Sequence, residues 1–286
     1  MPEQVQEEIA SLSDMIRIIE ETKMASQRIA FFRGHADSVY ELKPSLFRQR
    51  QHRKEEKDII RELITLHPSE FSSDESTFEK LVRMQHYSLP TRLLDLTYNP
   101  LVALYFACSS NPKSDAEFIR FSIAKDKIRY SDSDTVSCIA NLANLRGYER
   151  DEIREMSDAA ELVKSEVGER LLHFIKAEKS YFLPKIEISD LKGIVAVKPK
   201  LNNRRILAQQ GAFLIYGLTS ILEDSNKFGI RIRRHIIRSA NKSVIMSQLD
   251  KINVNVSTIF PEIEYAARYI TSKLPATPKK PAASGL

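Results

Sequence analysis

Three separated stretches of this sequence carry residues whose types suit chemistry. The first is Phe32-Arg33-Gly34, in which an arginine ends an apolar run typical of a short buried strand. A charged side chain seldom follows a buried run without a partner. A guanidinium at a strand end can bind phosphate or carboxylate through two parallel hydrogen bonds, and Gly34 would allow close backbone approach. The alternative is that Arg33 forms a structural ion pair with an acid such as Asp95.

The second stretch, residues 85–99, is dense in side chains that hydrogen-bond, titrate or stack. The candidates within it are His86, Tyr87, Thr91, Arg92, Asp95 and Asn99. We expect an irregular loop between two helices, because Pro90 removes a backbone donor and such loops often carry binding groups. The alternative is that Arg92 and Asp95 brace the loop as an ion pair, with His86 an ordinary histidine at a helix end. For the cluster as a whole we favour a functional role.

Residues 203–213 form the third stretch, in which a polar turn leads through Gly211 into a buried strand. Gln210 would lie at the mouth of that strand, but surface glutamines in a turn would produce the same pattern.

The chain has no Gly-rich phosphate loop, no Gly-X-Ser-X-Gly elbow and no histidine spacing typical of a metal site. Its two cysteines are too few for a cysteine-rich zinc site. We therefore predict no metal centre.

The formal net charge of +5 over 286 residues permits contact with a nucleotide or a nucleic acid but does not require one. Positive charge is concentrated in residues 227–251, which could contact nucleic acid or form a solvated strand and helix face. No apolar run is long enough to span a bilayer, and there is no secretory signal. Both cysteines lie in apolar contexts, as expected for free thiols in a reducing compartment. We therefore predict a cytoplasmic protein without membrane contact.

Hydrophobic periodicity predicts the elements that must position these stretches. Helices are predicted over residues 3–26, 54–66, 76–87, 101–109, 134–146, 150–176, 242–251 and 262–273. Strands are predicted over residues 28–32, 117–124, 193–197, 212–216 and 229–237, and a loop over 41–50. The expected fold is of the mixed α/β class, with a central mixed sheet of short strands surrounded by many helices. We expect a helical segment over residues 1–28, one α/β domain over 29–274 and a disordered tail over 275–286.

At the three stretches the chain resembles the FRG-domain family, which is named for its Phe-Arg-Gly motif. That motif is followed here by Tyr40-Glu41-Leu42-Lys43-Pro44-Ser45-Leu46-Phe47-Arg48. The stretch Gln85-His86-Tyr87-Ser88-Leu89-Pro90-Thr91-Arg92-Leu93-Leu94-Asp95 looks like the family's central signature. The segment from Arg205 to Phe213 looks like its Arg…Gln-X-Gly-X-Phe motif. The chain departs from the pattern at His35, where glutamine is common, and at Leu96, where an aromatic residue is common.

The family occurs in bacteria and phages, and some members are suspected of acting in defence or toxicity. A distant similarity to ADP-ribosyltransferases would further imply an enzyme that consumes NAD. Arg33 would then hold the phosphates or ribose of NAD, Tyr87 would stack on nicotinamide, and Gln210 would take the late position that orients the nicotinamide ribose. On this hypothesis the catalytic candidates are Arg33, His86, Asp95 and Gln210, and the cofactor-binding candidates are Arg33, Gly34, Tyr87, Thr91, Arg92 and Asn99. Because Gln210 is not a carboxylate, Asp95 would have to help to stabilise the oxocarbenium-like state of such a reaction.

Two other hypotheses remain open. One is a non-enzymatic sensor module whose cleft holds a nucleotide, a phosphorylated small molecule or a nucleic-acid end, using Arg33, Arg92 and residues 227–251. The other is that the three stretches only brace the fold. The sequence therefore predicts one working surface but leaves its chemistry open.

Overall fold

The computed structural model describes residues 7–23, 25–224 and 227–274, with only the main chain of residue 227 described. Residues 1–6 and 24, which belong to the helix predicted over 3–26, lie outside the described residues. The predicted tail over 275–286 lies outside them as well. None of the helices in the described part of the chain combines the length and the apolar character needed to cross a bilayer.

Helices form much of the described chain. The α-helices are Leu12–Glu21 (α1), Ser45–Arg48 (α2), Arg50–Lys54 (α3), Glu56–Leu66 (α4), Thr77–His86 (α5), Pro100–Cys108 (α6), Asp134–Asn141 (α7), Gly147–Glu155 (α8), Ala159–Lys164 (α9), Glu166–Glu178 (α10), Ile188–Lys192 (α11), Arg204–Gln209 (α12), Lys242–Lys251 (α13), Val256–Ile259 (α14) and Ile263–Ser272 (α15). Short 3-10 helices cover Pro68–Phe71, Lys125–Lys127, Leu142–Asn144, Lys227–Gly229 and Ser239–Asn241.

Seven strands form one mixed sheet, so the predicted α/β fold with a central mixed sheet is confirmed. The strands are Arg28–His35 (β1), Leu93–Thr97 (β2), Ala116–Ala124 (β3), Ile128–Tyr130 (β4), Ile194–Lys198 (β5), Gly211–Tyr216 (β6) and Ile230–Ile237 (β7). Their order in the sheet is β4-β5-β6-β2-β1-β3-β7. Neighbouring strands are antiparallel except for β4 and β5, which are parallel. The strand at the centre of the sheet is therefore β2.

The main correction concerns residues 85–99, where an irregular loop was expected. Only the part around Pro90 is irregular, and residues 93–97 form β2. The strand is five residues long and has an acid at its middle position, so its sequence carries little strand signal. It forms because β6 pairs with it along its whole length and because its leucines are buried. Tertiary pairing thus decides a segment that local propensity leaves open.

Further segments differ from their predictions. The helix predicted over 3–26 is helical only in α1, because Glu8 forms a bridge with Ile236 and the helix begins after its N-cap Ser11. Residues 41–50, expected as a loop, contain α2, because Pro44 precedes it as the N-cap and does not interrupt it. The single helix predicted over 150–176 is divided into α8, α9 and α10. Asp158 and Ser165 accept hydrogen bonds from backbone N–H groups at the starts of α9 and α10, so each begins a new helix.

Gly34 determines how closely β1 approaches α6. A Cβ atom built on this residue would lie 2.0 Å from the carbonyl oxygen of Ala103 and 2.4 Å from the backbone nitrogen of Ala107. No real side chain tolerates such distances, so only glycine lets the end of β1 lie directly on the helix. Gly34 was expected to let another group come close to its backbone. In the structure, the backbone of α6 is one such group.

We expect Gly34→Ala to destabilise the fold by about 3 kcal/mol, because the added methyl group overlaps helix backbone that cannot yield. The measurement is the free energy of unfolding in urea. Gly211→Ala is the matched control, since the nearest atom to its added Cβ is a side-chain carbon of Ile206 at 3.4 Å. Equal stability of the two variants would contradict the packing constraint.

Candidate functional site

The sheet opens at its centre, between β1 and β2. The two strands pair at Phe32 and Thr97, whereas β1 follows β3 from Arg28 to His35. Beyond Phe32 the end of β1 lies against α6, and the side chain of Arg33 spans the space toward β2. The opening therefore begins at the Phe-Arg-Gly motif.

Asp95 lies in the middle of the central strand, and yet its side chain is 60% exposed. Strand alternation places it on the same face as Leu93 and Thr97. On that face Leu93 packs in the cluster that includes α5 and α7, while Phe32 of the neighbouring strand packs in the cluster that includes α6. Asp95 thus lies in a gap between two groups of helices.

A cleft of about 350 Å³ occupies this gap, which is within the size range of pockets that hold small ligands. The three chemically dense stretches of the sequence all contribute to it. Its polar lining consists of Arg33, His35, Tyr40, Arg48, Gln85, His86, Asp95, Thr97, Asn203, Arg205 and Gln209. Its apolar lining includes Phe32, Val82, Val102, Phe106, Ile206 and Phe213. The tertiary structure therefore brings together stretches that are separated by more than 170 residues.

The side chain of Arg33 extends from β1 toward the exposed acid, Asp95. Its Nη1 donates a hydrogen bond of 2.7 Å to the carbonyl oxygen of Asp95 and lies 3.9 Å from carboxylate oxygen Oδ2 of the same residue. Its Nε donates a hydrogen bond of 3.1 Å to Nε2 of His35. Burial lowers the pKa of Arg33, and Asp95 opposes that shift. The side chain is 17% exposed, so the guanidinium is held in place and still borders the cleft.

His35 accepts the hydrogen bond from Nε of Arg33, and this contact determines the tautomer of the His35 ring. A guanidinium can only donate, so Nε2 of His35 must accept and the ring proton must lie on Nδ1. Nδ1 lies 3.7 Å from Glu117, which is too long for a hydrogen bond. Glu117 is itself paired with Arg234 at 2.6 Å, and Arg234 also pairs with Asp224. A buried chain of polar groups thus extends from the cleft to β7.

Two residues of the cleft lining, His86 and Arg205, contact residues beside the C-terminal helices α14 and α15. Nε2 of His86 lies 2.7 Å from the carboxylate of Glu262, and Nδ2 of Asn203 lies 3.4 Å from Nδ1 of the same ring. The guanidinium of Arg205 lies 4.8 Å from the ring centroid of Phe260, a cation–π distance. Sequence reasoning did not identify Glu262 as a partner of His86, because 176 residues separate the two along the chain.

Arg92 has a different environment from the one expected. It is 1% exposed, and its Nε and Nη2 donate to the carboxylate of Glu56 at 2.9 and 2.6 Å. Its Nη1 donates to the carbonyl oxygens of Tyr216 and Gly217. The pairing of Arg92 with Asp95 considered above is therefore wrong, since the partner is Glu56. Arg92 joins α4 to the ends of β2 and β6, and it does not line the cleft.

Thr91 and Asn99 serve the local backbone. Thr91 is fully buried, and its hydroxyl donates to the side-chain oxygen of Gln85, a cleft residue. Asn99 caps α6 by accepting the N–H of Leu101 at 2.9 Å. Neither residue is part of the cleft lining. Their proposed contacts with a cofactor stay predictions.

Tyr87 and Gln210 also lie apart from the cleft lining. Tyr87 is 54% exposed, stacks on the ring of His86 and donates a hydrogen bond of 2.9 Å to Glu70, which raises its pKa. Gln210 ends α12 in the left-handed region with φ 46°. In its place the neighbouring Gln209 lines the cleft. The proposed roles of Tyr87 and Gln210 therefore stay predictions.

The charges along the cleft favour an anion. Arg33, Arg48 and Arg205 line it, against the single carboxylate of Asp95. Two histidines lie among them, of which His35 is held neutral as described. Among residues 7–23, 25–224 and 227–274 there is no group of three or more His, Cys, Asp or Glu side chains placed to hold a metal ion. The cleft therefore suits a negatively charged organic ligand.

The tautomer of His35 generates a prediction about pH. Burial lowers the pKa of His35, as do the positive charges of Arg33 and Arg234, while Glu117 raises it. The folded state therefore disfavours the protonated ring. The stabilisation that follows is complete above the unfolded pKa of about 6.5 and is lost as the pH falls through the lower folded pKa.

We expect His35→Gln to reduce the loss of unfolding free energy between pH 7.5 and pH 5, because an amide oxygen can accept from Arg33 without titrating. Urea unfolding of both proteins at each pH measures the difference. His235, whose pKa is also lowered by burial, is present in both proteins and cancels in the comparison. Parallel pH profiles would show that His35 does not titrate on folding.

Comparison with known proteins found one family match, and it covers the first two of the three stretches that line the cleft. The FRG-domain family model matches residues 28–116, which hold β1, β2 and α6. Comparison with curated proteins and with solved structures found no significant match. The third stretch, which supplies Arg205 and Gln209, lies outside the matched segment. Over residues 28–116, which are less than half of its length, the chain is therefore similar to FRG domains.

Proposed function

We propose that the cleft binds the phosphate groups of a nucleotide and that Arg33 is its anion anchor. The supporting observation is the state of the Arg33 guanidinium. His35 and the main chain of Asp95 hold its Nε and Nη1, while Nη2 has no hydrogen-bond partner within the described residues. A guanidinium fixed on one edge and free on the other loses little side-chain entropy when it binds a phosphate.

The rest of the cleft supports a ligand with an anionic and an aromatic part. Arg48 and Arg205 add positive charge around Arg33. The side chains of Val102 and Phe106 provide an apolar wall on α6, against which a flat ring can pack. Nucleotides combine both parts, and NAD is the member of that class that the family resemblance suggests.

We expect Arg33→Lys to weaken nucleotide binding at least tenfold, because losing a charge-assisted, two-donor contact costs about 1.5–3 kcal/mol. Titration calorimetry with NAD, ADP and AMP measures the affinity. Arg17→Lys, on the exposed face of α1, is the matched control. The proposal would be contradicted if the wild-type protein bound none of the three ligands at millimolar concentration. It would also be contradicted if Arg33→Lys bound them with the same affinity as the wild type.

A second candidate function is cleavage of NAD, and it is favoured by the position of Asp95. Its exposed carboxylate lies beside the proposed phosphate anchor, and a nearby carboxylate can stabilise an oxocarbenium-like ribose. In this reaction the bond between the nicotinamide nitrogen and the ribose breaks, and nicotinamide leaves with the electron pair. Water or an acceptor then attacks the ribose carbon and loses a proton. Asp95 would stabilise the positively charged ribose, a role that Gln210 cannot fill because it has no carboxylate.

We expect wild-type protein incubated with NAD to release nicotinamide and Asp95→Asn to lower that rate at least a hundredfold, since the neutral amide cannot stabilise the positive ribose. Chromatography of free nicotinamide measures the rate. Asp58→Asn, an exposed acid on α4, is the control. Binding of NAD without release would instead support a non-enzymatic nucleotide sensor.

The cellular setting is part of the same proposal. Cys108 and Cys138 are free and buried, and burial raises the pKa of each thiol to about 12, which supports a reducing compartment such as the cytoplasm. The family resemblance supports a role in bacterial or phage defence. Such a role would be served by either nucleotide sensing or NAD removal.

A further inference from the structure

The structure divides the basic stretch 227–251 into two kinds of residue. Arg234 and Arg238 form ion pairs with carboxylates, and Lys242 donates to three main-chain carbonyl groups. Arg231 and Arg233 are exposed and form no ion pair with the described residues. Of the five lysines and arginines between residues 231 and 242, only these two are therefore available to a ligand.

The sheet register adds two arginines from other strands to them. Arg233 is directly opposite Arg120 on β3, and Arg231 is opposite Ser122. Arg28 on β1 donates hydrogen bonds to the hydroxyl and carbonyl groups of Ser122 and to the carbonyl oxygen of Gly229, so it adds positive charge here while its Nε and Nη2 are already bonded. Paired residues of an antiparallel sheet lie on the same face, so three neighbouring strands bring four arginines together. We call this cluster of Arg28, Arg120, Arg231 and Arg233 the arginine face.

Arg120 shows that the arginine face is not balanced internally. The residue is 7% exposed, and its Nε is buried without a hydrogen-bond partner. Its neighbour Arg233 is a like charge, and directly opposed like charges on a sheet are destabilising. Within the described residues no carboxylate forms an ion pair with any of the four arginines. The carboxylates that act nearby are Asp126, toward Arg28, and Glu7, toward His235.

We propose that the arginine face binds the phosphate backbone of single-stranded nucleic acid. Residues two apart on a strand are separated by about 7 Å and next-nearest strands by about 10 Å, so the charges are spread over three strands and do not enclose one phosphate. Ala30 and Ser122, which lie between them, are small and half-buried, and Arg231 and Arg233 form the exposed part of the face. An extended row of phosphates fits this arrangement, because a positively charged surface that follows the backbone is one component of single-strand binding.

The test is fluorescence anisotropy of the full chain with a labelled 20-nucleotide oligo-dT at several salt concentrations. We expect wild-type binding at 50 mM salt. The double variant Arg231→Gln, Arg233→Gln should weaken it at least tenfold and reduce the salt slope by about 1.4, as expected for two lost phosphate contacts. The control Lys164→Gln, Lys176→Gln removes the same charge from exposed positions on α9 and α10 and should stay within twofold of wild type.

Three outcomes would overturn the proposal. They are no oligonucleotide binding by the wild type at 50 mM salt, equal losses in the two double variants, and displacement of the oligonucleotide by an equimolar amount of inorganic phosphate. The last outcome would assign the face to a small anion. The oligonucleotide assay contains no free nucleotide and the calorimetry of the cleft contains no oligonucleotide, so the two tests fail independently.

Arg120 provides a second, independent measurement. Arg120→Met removes a buried charge that forms no ion pair with the described residues, so the variant should unfold at a temperature about 2 °C or more above wild type. The same variant should bind the oligonucleotide at least threefold more weakly. A buried charge that lowers stability and raises affinity is expected of a binding site. Lower stability together with unchanged affinity would show that Arg120 is structural.

Discussion

The contact of Gly34 with helix α6 is the constraint on which the cleft depends. It seats the end of β1 on the helix at a distance that no side chain would permit. Helix α6 in turn follows directly from β2 through the cap at Asn99. One helix therefore packs beside both strands, and the strands separate beyond the pairing of Phe32 with Thr97. The space that results is bridged by Arg33 and leaves Asp95 open to solvent.

Arginine serves three purposes in this protein, and burial and partners decide which one. Arg92 is fully buried and bonded through all three of its nitrogens, with the Glu56 carboxylate compensating its desolvation. Arg33 is bonded on one side and open on the other, which suits ligand binding. Arg120 is buried, and within the described part of the chain its Nε has no hydrogen-bond partner and no carboxylate pairs with it, which is a cost to the fold. The same guanidinium group is thus a brace at Arg92, an unbalanced charge at Arg120 and, on the function proposed above, an anchor at Arg33.

The local sequence predicted most elements that have a strong period or a clear cap. The strand before Arg33 and the helix after Asn99-Pro100 were predicted, because an apolar run and an N-cap followed by proline are local signals. Strand β2 was not, since five residues with an acid at the centre resemble a loop until β6 pairs with them. Glu262 and the chain from His35 to Arg234 depend on contacts between distant residues, which no local pattern records.

The sequence by itself determined which residues could carry chemistry, the mixed α/β class and the resemblance to the FRG family. Residue type, spacing and hydrophobic period are enough for those conclusions. Only the tertiary structure decided which of the candidates share one cleft. It placed Arg33 and His86 there with Asp95, turned Arg92 toward Glu56, and put Gln209 in the lining in place of Gln210. The physical reason is that side-chain direction and partner choice depend on sheet register and helix packing, which are set by the whole chain at once.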